Sequence, residues 1–413
     1  MSENALYPRF LKNRLEEVLT DTPVVLIHGP RQCGKTTLAT LQGTESGYEY
    51  FSFDDNGLRE AATEDPLGFV GNLPGKVILD EVQRVPELFA SIKLSVDRNR
   101  KPGRFVLTGS ANILTLPKLS DSLAGRMEIL RLWPLSQSEI LGSKPAFIDK
   151  LFSANFKIES TERLGKALAE KIVGGGFPAA LARTTGRRRE NWYRDYTDTL
   201  IQRDIQDLAR IQHMDALPKL LQLLAGQSAR LLNISRLASP FEISNPTVKD
   251  YVTLLKQLFL VDELKPWFSN RLSRLVKSPK VHLGDTGLAC SLLGLDGDSL
   301  NADRSILGQL LETFVYQELR KLTSWHEDRV DFFHLRGKDG MEVDFVLERN
   351  GREVAGIEVK ASATIRSSDF HWLRKLQEAL GNRFKCGIVL YDGETVSPFG
   401  SQLFAVPLSM LWR

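Results

Sequence analysis

An apolar run at residues 24–28 leads directly into the pattern G-x-x-x-x-G-K-T at residues 29–36. This pattern is typical of a strand, a loop and a helix in succession, where the loop N–H groups surround phosphate groups. The Lys35 ammonium can reach the β- and γ-phosphates, and the Thr36 hydroxyl can bind Mg²⁺. The agreement of all four features favours a nucleotide site on a parallel α/β sheet over a chance glycine loop. The predicted nucleotide contacts are Gly29, Pro30, Arg31, Gln32, Cys33, Gly34, Lys35, Thr36 and Thr37.

A second apolar run, at residues 77–79, ends in two consecutive carboxylates. In this arrangement Asp80 can hold the Mg²⁺ shell and Glu81 can orient or activate water. An apolar run that ends in Asp-Glu is commonly an ordinary strand end. The phosphate loop upstream favours the metal and water roles, so Asp80 and Glu81 are candidate site residues.

A third strand is predicted at residues 104–109 and ends in small polar residues. At the carboxyl edge of a parallel sheet Thr108, Ser110 and Asn112 would face the γ-phosphate, although such residues also suit a simple strand-to-loop turn. Arg126 follows shortly afterwards. Its guanidinium can stabilise transition-state charge within the subunit or in a neighbouring one, whereas the alternative is a solvated surface arginine.

These motifs together resemble a prokaryotic group of AAA-type ATPases. That group has an ATPase core similar to the archaeal origin-recognition type and a carboxyl-terminal domain of unknown function. The resemblance implies that the nucleotide is ATP, since the motifs alone indicate only a nucleoside triphosphate. It is carried by residues 28–37, 79–83, 107–110, 122–126, 134–136, 174–178 and 199–204.

The length of 413 residues predicts two or three domains. The 54 basic and 51 acidic residues give only a weak positive bias, which does not establish a polyanionic partner. Three widely separated cysteines are typical of a reducing compartment and exclude a cysteine-built zinc site. No apolar stretch has the length of a membrane span, so a cytosolic chain without a membrane partner is expected.

Residues from about 137 to 212 show helical periodicity, which predicts a helical lid next to an ATPase core at residues 1–136. Residues 213–268 then predict a winged helix-turn-helix. Ser244 or Asn245 would cap its recognition helix, and Ser244, Thr247 and Lys249 would face a DNA groove. Such trihelical units also serve as packing modules, and a single lysine is a small basic surface.

The last region, residues 269–413, contains a pattern that resembles the PD-(D/E)XK nucleases. Asp344 lies on one alternating strand, and Glu358 and Lys360 share a face of the next. Glu312, on a preceding helix, completes a candidate Mg²⁺ shell with Asp344 and Glu358, while Lys360 would assist the attacking water. Glu318 is a competing acid on a face expected to be solvated. An amphipathic sheet with a charged outer face is the alternative.

The combined prediction is an ATPase that acts on nucleic acid, with DNA favoured, and that carries a metal-dependent nuclease-like domain. Two alternatives remain open. One is an ATP-switched DNA-binding regulator whose nuclease fold does not cleave, and the other is an ATPase that remodels a protein partner. The expected cofactors are ATP and Mg²⁺, and self-association is left open.

Overall fold

The computed structural model describes residues 6–110, 123–205, 213–241, 243–268, 277–337 and 340–413. It divides into two compact units. The first unit comprises Met1–Leu135 and Gln257–Phe259, and the second comprises Ser136–Lys256 and Leu260–Arg413.

The first unit is built on a parallel sheet with the strand order β2-β3-β4-β1-β5. The inner strands β1 and β4 are buried along their whole length, as expected for apolar runs covered on both faces. The predicted parallel α/β sheet is thereby confirmed. Its strands are β1 (Val24–His28), β2 (Glu49–Ser52), β3 (Val77–Asp80), β4 (Phe105–Gly109) and β5 (Met127–Arg131).

Five helices in the described part of this unit accompany the sheet. An apolar core of Phe53, Leu79, Phe89 and Phe105 with their neighbours lies between α3, α4, α5 and the sheet. The helices are α1 (Leu11–Val18), α2 (Lys35–Ser46), α3 (Asn56–Glu64), α4 (Pro66–Asn72) and α5 (Leu88–Arg98), and Val82–Arg84 forms a 3-10 turn.

The residues predicted as a lid belong, where the structure describes them, to the second unit. A buried carboxylate supplies one physical reason. Asp285 accepts hydrogen bonds from the Gly176 N–H at 2.8 Å and from the Tyr193 hydroxyl at 2.9 Å. The helices are α6 (Gln137–Leu141), α7 (Phe147–Ser153), α8 (Lys166–Gly174), α9 (Pro178–Leu181) and α10 (Gly186–Thr199), which continues as a π-helix over Leu200–Asp204.

A small module follows, in which three helices accompany an antiparallel sheet of order β6-β8-β7. The Ser244 hydroxyl accepts a hydrogen bond from the Thr247 N–H at 3.3 Å, so Ser244 is the cap of the third helix. The elements are α11 (Ala216–Gly226), β6 (Arg230–Leu231), α12 (Ile234–Ala238), α13 (Asn245–Gln257), β7 (Val261–Leu264) and β8 (Lys280–Leu283), with a 3-10 turn at Ser239–Phe241.

The remainder of the second unit contains a six-stranded sheet of order β13-β14-β12-β11-β10-β9. Strands β9, β10 and β11 are antiparallel, and β12 runs parallel to β11. The helices are α14 (Thr286–Leu293), α15 (Gly297–Ala302), α16 (Arg304–Ser324) and α17 (His371–Leu380). The strands are β9 (Val330–Arg336), β10 (Glu342–Arg349), β11 (Glu353–Lys360), β12 (Phe384–Tyr391), β13 (Ser397–Gly400) and β14 (Leu403–Pro407).

Among the described residues, no helix combines the length and the apolar character needed to cross a membrane.

Candidate functional site

The phosphate loop between β1 and α2 has a backbone that requires both of its pattern glycines. Gly34 has a φ of 101°, which glycine adopts without strain. A Cβ atom on Gly29 would lie 1.9 Å from the Leu132 carbonyl oxygen, so no side chain fits there. Lys35 follows at the start of α2, is only 4% exposed, and donates a hydrogen bond to the Pro30 carbonyl across the loop at 2.8 Å. The sequence thus builds a closed loop with a buried ammonium at the beginning of a helix.

The two residues predicted to hold Mg²⁺ in the first unit lie in direct contact. The Thr36 hydroxyl donates to the Asp80 carboxylate at 3.0 Å. Thr108, one of the predicted γ-phosphate residues, also donates to this carboxylate. A hydroxyl and a carboxylate at the end of a phosphate loop are the oxygen ligands that Mg²⁺ prefers, so these residues fit the metal.

Sequence reasoning missed a further partner of Asp80. The Tyr50 hydroxyl donates to Asp80 at 2.7 Å. Burial and this hydrogen bond raise the pKa of Tyr50 to about 12, so it remains a donor at neutral pH. The available signal was the strand order, since Tyr50 lies on β2, which pairs directly with β3.

Glu81 is held in a fixed orientation next to Asp80. Its backbone adopts a left-handed conformation with a φ of 55°. The Ser110 hydroxyl donates to its carboxylate at 2.8 Å, and the Gln83 amide donates to the same oxygen. Such backbone conformations cost free energy in non-glycine residues and are concentrated at functional sites. The geometry suits a carboxylate that orients water.

Arg126 forms an ion pair with Asp97 of α5 at 2.5 Å, and both side chains are partly exposed. Ion pairs of this kind contribute little to stability, and the arginine can exchange Asp97 for another anion. Its role in stabilising transition-state charge therefore stays a prediction. Asn112 lies outside the described residues.

In the second unit, the residues of the predicted nuclease pattern lie on adjoining elements. Asp344 on β10 accepts a hydrogen bond from the Val359 N–H of β11 at 2.9 Å. On β11, Lys360 lies 3.5 Å from the Glu358 carboxylate, which is only 6% exposed. One oxygen of Glu358, Oε1, has no hydrogen-bond partner among the described residues. Burial, followed by the charge of Asp344, raises the pKa of Glu358 well above its usual value.

A lysine that sequence reasoning did not assign lies among these acids. Lys280 of β8 is 1% exposed, and its Nζ lies 2.8 Å from Glu312, 3.2 Å from Glu342 and 3.4 Å from Asp344. Burial opposes the charged ammonium, but the three carboxylates outweigh it and raise the pKa of Lys280. Burial and the charge of Asp344 raise the pKa of Glu312 to about 8. We call Lys280, Glu312, Glu342, Asp344 and Glu358 the acidic cluster.

The predicted metal site of Glu312, Asp344 and Glu358 stays a prediction, and the arrangement of these side chains does not favour it. No group of three or more His, Cys, Asp or Glu side chains in the described part of the chain could hold a metal ion. The physical reason is that the Lys280 ammonium contacts Glu312 and Asp344 directly and compensates part of their negative charge. The acidic cluster therefore does not fit a divalent ion.

Glu318, which was expected to be solvated, is 1% exposed. Its carboxylate accepts a hydrogen bond from the Gln137 N–H, in the first turn of α6, at 2.8 Å. Lys321 contacts its other oxygen at 2.9 Å. Glu318 thus satisfies a helix N-terminus inside the second unit, which is a structural role.

Comparisons with known proteins give three family matches. Residues 21–141 match an AAA domain, residues 165–299 match a domain of unknown function (DUF8612), and residues 307–411 match another (DUF4143).

Three individual proteins illustrate these similarities. The solved structure of a Walker-type ATPase from Pyrococcus abyssi is 16% identical, covers 70% of this chain and 96% of its own, and has a TM-score of 0.44. An uncharacterized protein of Methanocaldococcus jannaschii is 22% identical over 95% of this chain and 87% of its own length. An uncharacterized protein of Mycobacterium tuberculosis is 30% identical over 400 residues, which are 96% of this chain and 83% of that protein.

Proposed function

Because this chain belongs to the family of the uncharacterized Mycobacterium tuberculosis protein and is a P-loop ATPase of the AAA type, we propose that it uses ATP to control binding to nucleic acid, with DNA as the favoured partner. The nucleotide site drives the cycle, and the module of α11, α12 and α13 contacts the nucleic acid. The chain crosses between the two units three times, so the nucleotide state has a covalent route to the second unit.

At the nucleotide site, each predicted residue has a defined task. Lys35 binds the β- and γ-phosphates, and Thr36 and Asp80 hold Mg²⁺, which neutralises phosphate charge when bound. Glu81 orients the attacking water, while Ser110 and Gln83 fix its carboxylate. The direct contact of Thr36 with Asp80 is the observation that carries the ATPase part of the proposal.

The small module carries the nucleic-acid part. Its order of helix, strand, helix, helix and two strands, with β8 between β6 and β7, supports a winged helix-turn-helix. The start of α13 presents Ser244 and Lys249 as exposed residues and Thr247 as a half-buried one. A helix N-terminus with hydroxyl and ammonium donors is complementary to the phosphate backbone.

The proposal contains no cleavage step, because the acidic cluster does not fit a divalent ion. In the carboxyl-terminal domain, Glu312 lies on a helix and Asp344, Glu358 and Lys360 lie on adjacent strands, which supports a nuclease-type fold. This favours the alternative in which such a fold binds nucleic acid without cutting it.

The test is a binding titration of labelled duplex DNA, single-stranded DNA and RNA with no nucleotide, with ADP and with a non-hydrolysable ATP analogue. We expect affinity for DNA to differ at least about fivefold between nucleotide states, the lower end of typical coupling between sites. Lys249→Ala should weaken binding to all sequences and reduce the salt dependence by about one counterion. Lys144→Ala is the matched control, since it removes an exposed lysine outside this module.

Absence of binding in every nucleotide state, with intact ATP turnover, would contradict the nucleic-acid part of the proposal. ATP turnover that is indifferent to added nucleic acid would then favour a protein partner.

A further inference from the structure

The Lys280 ammonium has the environment of a bound cation. An ammonium has three N–H donors, and three different carboxylates lie within 3.4 Å of this nitrogen. The Lys280 side chain is 1% exposed, so water screens its contacts with Glu312 and Asp344 only weakly. Lys280 therefore donates hydrogen bonds to Glu312 and Asp344 and forms an ion pair with Glu342.

The backbone around Lys280 fixes this arrangement. Lys280 lies on β8, the middle strand of its sheet, and pairs with Leu231 on one side and Leu264 on the other. The three carboxylates that contact Lys280 come from two separate elements, namely α16 for Glu312 and β10 for Glu342 and Asp344. One ammonium thus compensates the charge of acids that would otherwise repel one another.

We propose that the Lys280 ammonium supplies the positive charge at the acidic cluster and prevents a divalent metal ion from binding there. The nuclease-type fold of the second unit then holds no metal ion at this cluster. A divalent ion bound by Glu312 and Asp344 would lie next to a buried ammonium of the same sign. Uncompensated like charges in a buried site are strongly unfavourable. This inference concerns ion binding alone and does not depend on whether the chain binds nucleic acid.

The test is Mn²⁺ binding to the full chain, measured by electron paramagnetic resonance of the free ion, without nucleotide or nucleic acid. Every protein carries Asp80→Asn, which removes the carboxylate of the nucleotide site. We expect no Mn²⁺ site in this background and a site in Lys280→Met with at least about tenfold tighter binding, because the competing charge is gone. That new site should disappear when Asp344→Asn is added.

Lys360→Met is the matched control, since it removes a lysine that contacts Glu358 and leaves Lys280 in its position. It should bind no Mn²⁺. Thermal unfolding gives a second measurement, in which Mn²⁺ raises the Tm of Lys280→Met and leaves that of the background protein unchanged.

Two results would overturn the proposal. The first is Mn²⁺ binding by the Asp80→Asn background that Asp344→Asn abolishes, a comparison that needs no Lys280 variant and holds even if Lys280→Met fails to fold. The second is a folded Lys280→Met protein that binds no Mn²⁺, because the lysine would then not be what excludes the ion.

Discussion

Each unit of the molecule contains a buried lysine near carboxylates, Lys35 in the first and Lys280 in the second, and these two lysines have different partners. Lys35 donates to a neutral carbonyl of its own loop, while the nearby Asp80 is satisfied by hydroxyl groups. Lys280 contacts three carboxylates directly. An ammonium bonded to a carbonyl can exchange that partner for a phosphate, whereas one surrounded by carboxylates is already neutralised. The same side chain therefore serves ligand binding in one unit and internal charge compensation in the other.

The largest expected effect is on the stability of the second unit. Lys280→Met should lower its free energy of unfolding by about 3 to 5 kcal/mol at neutral pH, because removal of the ammonium leaves the buried Asp344 carboxylate uncompensated. Tryptophan fluorescence during urea unfolding measures this, since Trp192, Trp267, Trp325, Trp372 and Trp412 all lie in this unit. An unchanged unfolding midpoint would show that Lys280 is not needed for charge compensation.

ATP turnover tests the other lysine. Lys35→Ala should reduce turnover about 100-fold to 1000-fold, the usual loss when one preorganised donor to developing charge is removed. Lys101→Ala removes an exposed lysine of the same unit and should retain the parental rate. Persistent ATP turnover by purified Lys35→Ala would contradict the ligand-binding role that distinguishes Lys35 from Lys280.

The pH dependence of stability sharpens the comparison. The pKa of Glu312 rises from 4.5 in the unfolded chain to about 8 in the fold, so the folded state binds the extra proton between these values. The contribution of Glu312 to the free energy of unfolding is complete below pH 4.5 and is lost as the pH rises through about 8. Glu312→Gln should flatten this decline by up to about 5 kcal/mol, whereas the exposed-acid control Glu378→Gln should not. Equal slopes of stability against pH in the parent, Glu312→Gln and Glu378→Gln would contradict the raised pKa of Glu312.

The smallest effect is expected at Tyr50. Tyr50→Phe removes one of several hydroxyl donors to Asp80 and should lower the stability of the first unit by about 1 kcal/mol. ATP turnover should stay within about threefold of the parent, because Thr36 still contacts Asp80. A loss of turnover as large as that of Lys35→Ala would instead assign Tyr50 to the hydrolytic machinery.

Local patterns predicted the parts of both sites that lie on single elements. The phosphate loop and the cap at Ser244 follow from short-range spacing and turn chemistry, whereas the contact of Thr36 with Asp80 follows from combining two motifs 44 residues apart. The alternation of β10 likewise predicts that Glu342 and Asp344 share a face, and both contact Lys280.

What the sequence could not supply was the pairing of distant elements. Lys280 reaches the acidic cluster from a strand more than thirty residues before the first of its partners, Glu312. Tyr50 reaches Asp80 because β2 and β3 are neighbouring strands. Glu318 accepts a hydrogen bond from the backbone N–H of Gln137, which lies 181 residues away in the sequence. Helical periodicity assigned Glu318 to a solvated face because it does not reveal which segment will cover that face.

The ammonium at position 280 also gives the two halves of the chain different dependence on their chemical surroundings. Chelation of divalent ions should stop the ATP cycle at Thr36 and Asp80 while leaving the carboxyl-terminal domain folded and charge-balanced. The concentration of magnesium should then affect only the nucleotide site. The carboxyl-terminal domain should be insensitive to it, because its cation is the covalently attached Lys280 ammonium.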